Sequence, residues 1–142
     1  MGIATSGTAT RNFKVAYYRR MDYARLIARL YFAFNDRDID VLVAQMTEDV
    51  DWPNAWEGGR VRGHDGVRDY WTRQWAAIDP TVQPGAVTTR PDGKVAVDVH
   101  QLVRSLDGTL LDEGDVVHVY SFQGALIARM DVEDPEGGPG EH

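Results

Sequence analysis

The 142-residue chain contains no cysteine, which excludes a disulfide framework, thiol catalysis and thiolate metal sites together. It also lacks any apolar run near the ~20 residues needed to cross a bilayer. Basic residues are the minority, 15 against 22 acidic, for a formal charge of −7. Affinity for phosphate backbones comes from clustered Lys and Arg, so no nucleic-acid partner is expected. No Gly-rich phosphate loop or nucleophile elbow is present, and His64, His100, His118 and His142 show no metal-ligand spacing. Neither metal nor cofactor is expected. The setting expected from these absences is the cytoplasm.

What is present fits one domain with one core. Met1 to Ser6 carries the Gly2 and Ser6 of a myristoylation pattern, which such short motifs often match by chance. Residues 1–20 read instead as a flexible small-polar extension, 21–134 as the domain, and the Gly- and Pro-rich 135–142 as a disordered tail.

Tyr23, Leu26, Ile27, Leu30, Tyr31 and Phe34 recur at the spacing of a one-faced helix that should stop at Asn35-Asp36. Asp38 is placed to cap a short second helix through Ile39, Leu42, Val43 and Met46. Val50-Asp51-Trp52 begins a strand that Pro53 limits, and Val61 offers a short return. Val67, Tyr70, Trp71, Gln74, Trp75 and Ile78 mark a third helix ended by Pro80.

The period then changes to two. Thr81–Thr89, with Pro84 and Gly85, suits an interrupted or edge strand. Val95, Val97 and Val99 alternate, Asp107-Gly108 supplies a hairpin turn, and strands follow through Tyr120 and from about Leu126 to Glu133. Three N-terminal helices and a mostly antiparallel sheet make an α+β domain. Twisted strongly enough, such a sheet becomes a cone whose open end, closed on one side by the helices, is a pocket.

This order of elements resembles the nuclear transport factor 2-like superfamily, in its SnoaL-like and ketosteroid isomerase-like branches. The resemblance runs from about Asp22 to Glu133. It is carried by the helix ending in Asn35-Asp36-Arg37-Asp38, by Thr47-Glu48-Asp49-Val50-Asp51-Trp52, by Arg62-Gly63-His64-Asp65-Gly66-Val67 and by Val119-Tyr120-Ser121-Phe122. It implies a pocket inside a curved sheet and homodimers through the sheet's outer face. It does not select an activity, because the family holds isomerases, cyclases, dehydratases, hydrolases and non-catalytic modules. The ketosteroid isomerase pattern puts its base at Asn54, its tyrosine at Leu30 and its acid near His118; none of the three matches.

Strand parity selects the candidate site. With Asp107-Gly108 as a two-residue turn, Val97 opposes His118 and Val99 opposes Val116, so Val97, Val99, Gln101, Val116, His118 and Tyr120 share the inner face. Asp98, His100, Asp115, Val117 and Val119 fall outside as a solvated or dimer-facing charge network. A changed register would exchange the two faces. His118 is the candidate acid, base or hydrogen-bond donor, and its alternative is a satisfied core histidine. Asn54 is the candidate that orients ligand or water, against a plain turn role. Ligand contacts are expected from Trp52, Trp56, Gln101, Tyr31, Trp71 and Met130. Asp51 should point outward if Trp52 points inward, and a carboxylate hydrolase would need Asp51, Glu57 or Asp131 to meet. The expected ligand is a hydrophobic small molecule bearing oxygen. The activities open are cofactor-independent isomerisation, cyclisation, dehydration or hydrolysis, and the alternative is a non-catalytic binding or assembly module.

Overall fold

The structure, a computed structural model, describes residues 23–135. The expected N-terminal extension, its myristoylation pattern and the tail from residue 136 onward lie outside the described residues.

Helix α1, followed over residues 23–35, buries Ile27, Leu30, Tyr31 and Ala33. It stops where expected, because Asn35 turns its amide away from the helix to bond both backbone groups of Val82, at 2.8 and 3.0 Å. Arg37, at φ 60, makes the reversal and lays its guanidinium over Phe34 and Trp75. Asp38 caps α2 (Ile39–Ala44) by accepting from the Val41 amide at 3.2 Å.

Strand β1 (Met46–Pro53) begins four residues before the expected Val50. Met46 therefore belongs to a strand and not to the second helix. The cause is non-local: β1 pairs in parallel with β6 (Leu126–Glu133), and the Ile127 amide donates to the Gln45 carbonyl at 2.8 Å. Pro53 closes β1, and β2 (Arg60–Arg62) returns against it. Helix α3 (Gly63–Ala77) buries Val67, Tyr70 and Trp71. Its first residue, Gly63, sits at φ 74, and a Cβ there would meet the Glu48 carbonyl oxygen at 3.2 Å. A side chain would be strained in both backbone and contact.

Strands β3 (Asp79–Thr89), β4 (Val95–Arg104) and β5 (Leu110–Gln123) complete a sheet of order β2-β1-β6-β5-β4-β3, antiparallel except at β1–β6. β3 is an edge strand whose register slips between Pro84 and Val87, as proline and glycine there require. Three helices and this mostly antiparallel sheet enclose the core, with Val95, Val97, Val99, Tyr120 and Ile127 almost wholly buried between the layers. No helix among the described residues is long and apolar enough to cross a membrane.

The β4–β5 hairpin meets the expected register by a different turn. The Gly108 amide donates to the Ser105 carbonyl at 2.9 Å, Ser105 donates to Thr109 at 2.8 Å, and Gly108 is at φ 95. This is a three-residue loop with a left-handed glycine rather than a two-residue turn. It shifts the ladder by one, and the irregularity between Arg104↔Leu110 and Val103↔Asp112 shifts it back. Val97 thus faces His118 and Val99 faces Val116.

Candidate functional site

Between helices and sheet lies a cavity of about 360 Å³, in the range that encloses small ligands. Its walls are Tyr31 and Phe34 of α1, Trp52 of β1, Tyr70, Trp71 and Gln74 of α3, Val82 of β3, Gln101 and Val103 of β4, Asp112, His118 and Tyr120 of β5, and Met130 and Val132 of β6. Trp56 reaches it from the β1–β2 loop. His118, Trp52, Trp56, Gln101, Tyr31, Trp71 and Met130 are therefore brought together.

The aromatic walls brace one another. Trp52 meets Trp71 edge-on at 5.4 Å between centroids, and Trp71 stacks on Trp75 at 5.9 Å. Flat rings held this way offer rigid apolar area at little entropic cost.

The polar centre is a line of three buried side chains. Tyr31 Oη lies 2.7 Å from His118 Nδ1 and 2.7 Å from Tyr120 Oη. Three hydrogens serve these two bonds, so one donor is left over in either direction of the line. Tyr31 has one hydrogen for two neighbours. If His118 Nδ1 carries the proton, Tyr31 donates to Tyr120, and the Tyr120 hydroxyl, which also lines the cavity, is the donor left over. In the opposite sense Tyr120 donates to Tyr31, Tyr31 donates to His118 Nδ1, and only Nε2–H of the imidazole remains. His118 makes no other side-chain hydrogen bond to a described residue, and its ring lines the cavity. The site therefore presents one donor to a ligand, the imidazole N–H or the Tyr120 O–H according to the His118 tautomer.

Burial sets the protonation states. It lowers the His118 pKa to about 4, because the charged imidazolium cannot be solvated there. It raises both Tyr31 and Tyr120 above the ordinary phenol range. At neutral pH the line is uncharged, and His118 is a donor and a weak base.

Gln74 adds a second polar point. Its Nε2 donates to Tyr70 Oη at 3.1 Å, while Oε1 is buried without a partner among the described residues. Whichever way the amide is turned, one of its polar atoms is left for a ligand or water. Burial also raises the Tyr70 pKa.

Asn54 stands apart from the other candidates. It is buried but absent from the cavity walls. Its Oδ1 accepts from the Glu57 amide at 2.8 Å, its Nδ2 donates to Glu57 Oε1 at 3.0 Å, and its backbone bonds Gly58 and Gly59. Glu57 in turn pairs with Arg73 of α3. Both amide atoms help to fix the loop that carries Trp56, which leaves one Nδ2 hydrogen and one Oδ1 lone pair outside these bonds.

The carboxylates considered for hydrolysis also lie elsewhere. Asp51 points away from the cavity, as strand alternation from Trp52 requires, and bonds Arg60 at 2.5 Å and Arg129 at 2.8 Å. Arg60 and Arg129 also hold Asp131. The Arg60 bond is the main cause holding the Asp51 carboxyl below its usual range. On the outer face of β4–β5, His100 sits between Asp115 and Glu113, each at 2.7 Å, and the Asp115 bond first, then Glu113, raises its pKa. No group of His, Asp and Glu among the described residues is arranged to hold a metal ion.

Sequence reasoning did not single out Tyr120, Tyr70, Gln74 or Asp112 as site residues. Tyr120 was on the inner-face list and needed only its hydroxyl considered. Asp112 shares the parity of His118, six residues back along β5, and the same reasoning extends to it. Tyr70 and Gln74 sit four residues apart on α3, a spacing that brings them together on one helix face.

The SnoaL-like domain family matches residues 27–130. No curated protein matches the chain. Among solved structures, TerC co-crystallised with polyporic acid is 24% identical, with a TM-score of 0.69 over 81% of this chain and 92% of TerC. A putative polyketide cyclase from Xanthomonas campestris is 19% identical, with a TM-score of 0.65 over 80% of this chain and 90% of that one. A Mycobacterium tuberculosis protein in complex with estradiol-17beta-hemisuccinate is 18% identical, with a TM-score of 0.66 over 78% and 92%. At these identities the likeness is one of fold.

Proposed function

The chain belongs to the SnoaL-like family, and from that premise we propose that it binds a hydrophobic aromatic small molecule through one carbonyl, hydroxyl or ether oxygen, which accepts a hydrogen bond from His118 Nε2. The carrying observation is the Tyr120–Tyr31–His118 line, which uses every hydrogen except the one facing the cavity. Solved relatives by fold hold polyporic acid and estradiol-17beta-hemisuccinate, ring systems of the kind the aromatic walls would suit.

A neutral donor in an aromatic-walled cavity stabilises negative charge developing on the bound oxygen. The chemistry this supports is cofactor-independent isomerisation, cyclisation or dehydration through an enolate-like state. A second reading, binding without turnover, is favoured by one observation: the only carboxylate among the described wall residues is the exposed Asp112, and none lies beside the buried line. Homodimerisation through the outer sheet face belongs to the same proposal, and a light-scattering mass tests it.

The pocket is tested by thermal shift with neutral polycyclic phenols and ketones, estradiol included. A ligand at 100 times its Kd raises stability by about 2.7 kcal/mol. The shift should shrink sharply in His118→Ala and in Tyr31→Phe. An unchanged shift in both variants removes the line from binding, and turnover that survives His118→Ala removes it from chemistry.

A further inference from the structure

The charge of the cavity wall carries an inference about the ligand, resting on the pocket reading above. The described wall residues include no Lys or Arg, and their histidine is held neutral by burial. Their single formal charge is Asp112, which is exposed at the rim and makes no hydrogen bond or ion pair to any described residue. Asp51 and Asp131 pair with Arg60 and Arg129, Glu57 with Arg73 and Glu133 with Arg90, whereas Asp112, like the exposed Asp98, has no cationic partner among the described residues. Trp56, 39% exposed, also borders the cavity and offers an aromatic face.

The spacing places this charge away from the hydrogen-bonding line. Asp112 and His118 lie on one face of β5, six residues apart, which is about 20 Å of extended strand. Between them Gly114 pairs with Gln101, and a Cβ on Gly114 would meet nothing within 4 Å. The path along the strand is open.

We propose that the pocket selects ligands by charge, taking an aromatic ligand that carries a protonated amine at the Asp112 end and rejecting one that carries a carboxylate there. An ammonium group gains the unpaired carboxylate in a cavity whose aromatic faces also favour a cation. An anion meets like charge with no cation in the wall to offset it. Asp112 is thus a specificity-determining residue that takes no part in the buried hydrogen-bond line.

The test is calorimetric titration at pH 7 with three probes that share a ring system: 2-naphthylmethylamine, 2-naphthylmethanol and 2-naphthoate. The amine should bind about tenfold tighter than the carboxylate, with the alcohol between them, since a partly exposed ion pair and a cation–π contact are each worth about one kcal/mol or less. Asp112→Asn, at an exposed position, should bring the three within about threefold. Asp98→Asn, exposed on the outer face, should leave the order intact and so exclude an effect of net charge alone. Gly114→Trp, with folding verified by circular dichroism, should abolish binding of all three. Equal or tighter binding of the naphthoate, or an order that survives Asp112→Asn, overturns the charge inference and leaves the pocket standing. Binding that survives Gly114→Trp places the probes outside the cavity and overturns it too. Failure of all three probes to bind overturns both the inference and the pocket reading.

Discussion

Acidification should weaken this fold in a way that traces to His118. In the folded state its pKa is about 4, against about 6.5 when the chain is unfolded. A lowered histidine pKa means that the unfolded chain binds the extra proton first. The stability tied to the neutral ring is therefore complete above pH 6.5, falls as pH drops toward 4, and levels off below it. The loss is on the order of 1 kcal/mol at pH 5.5 and on the order of 2–3 kcal/mol at pH 4.5. Other groups titrate in this range, so the measurement is a difference: urea denaturation of wild type and His118→Gln from pH 7.5 to 4.5. His100, whose raised pKa acts in the opposite direction, is common to both proteins and drops out. Wild type should lose on the order of 2–3 kcal/mol more than the variant by pH 4.5. Parallel curves would refute the burial of a neutral imidazole.

Three further outcomes are expected. Tyr31→Phe removes the bridge between His118 Nδ1 and Tyr120 and should cost about 1–3 kcal/mol in chemical denaturation by leaving buried polar atoms unpaired. Gly63→Ala should cost about 1–2 kcal/mol, measured the same way, because the position combines a left-handed backbone with a 3.2 Å approach to Glu48. Asp51→Asn removes one of the two carboxylates that Arg60 and Arg129 share on the outer face and should lower stability by about 1–3 kcal/mol while leaving ligand affinity unchanged. Because the Asp51 pKa is lowered on folding, its contribution is present above the ordinary carboxylate range and lost as pH falls through the folded value.

The sequence made the inner face of the hairpin legible because parity is local and survives small errors. The assumed two-residue turn is in fact a three-residue loop, and the irregularity beyond Val103 restores the register. Two offsets cancel, and His118, Gln101 and Tyr120 point inward as alternation requires. The Asn54–Glu57 contacts were not legible, because which nearer group an amide beside a pocket meets depends on the loop's conformation, and here Glu57 three residues on bonds both of its amide atoms. The early start of β1 was hidden because its partner, β6, lies some eighty residues away and pairs in parallel. The Tyr31–His118 contact joins a helix to a strand 87 positions apart. Periodicity places each residue on its own inner face but cannot show that their polar atoms meet.

The central claim is that His118 is a neutral imidazole whose Nε2–H serves the ligand. It is tested most directly by ¹⁵N NMR of histidine-labelled protein titrated with a neutral ligand found in the thermal-shift screen. The account predicts a His118 ring protonated at Nε2, with no titration near pH 6.5, whose Nε2 resonance moves on binding while those of His64 and His100 stay in place. A His118 resonance that titrates near 6.5, carries its proton on Nδ1, or ignores a ligand bound in the cavity would contradict it.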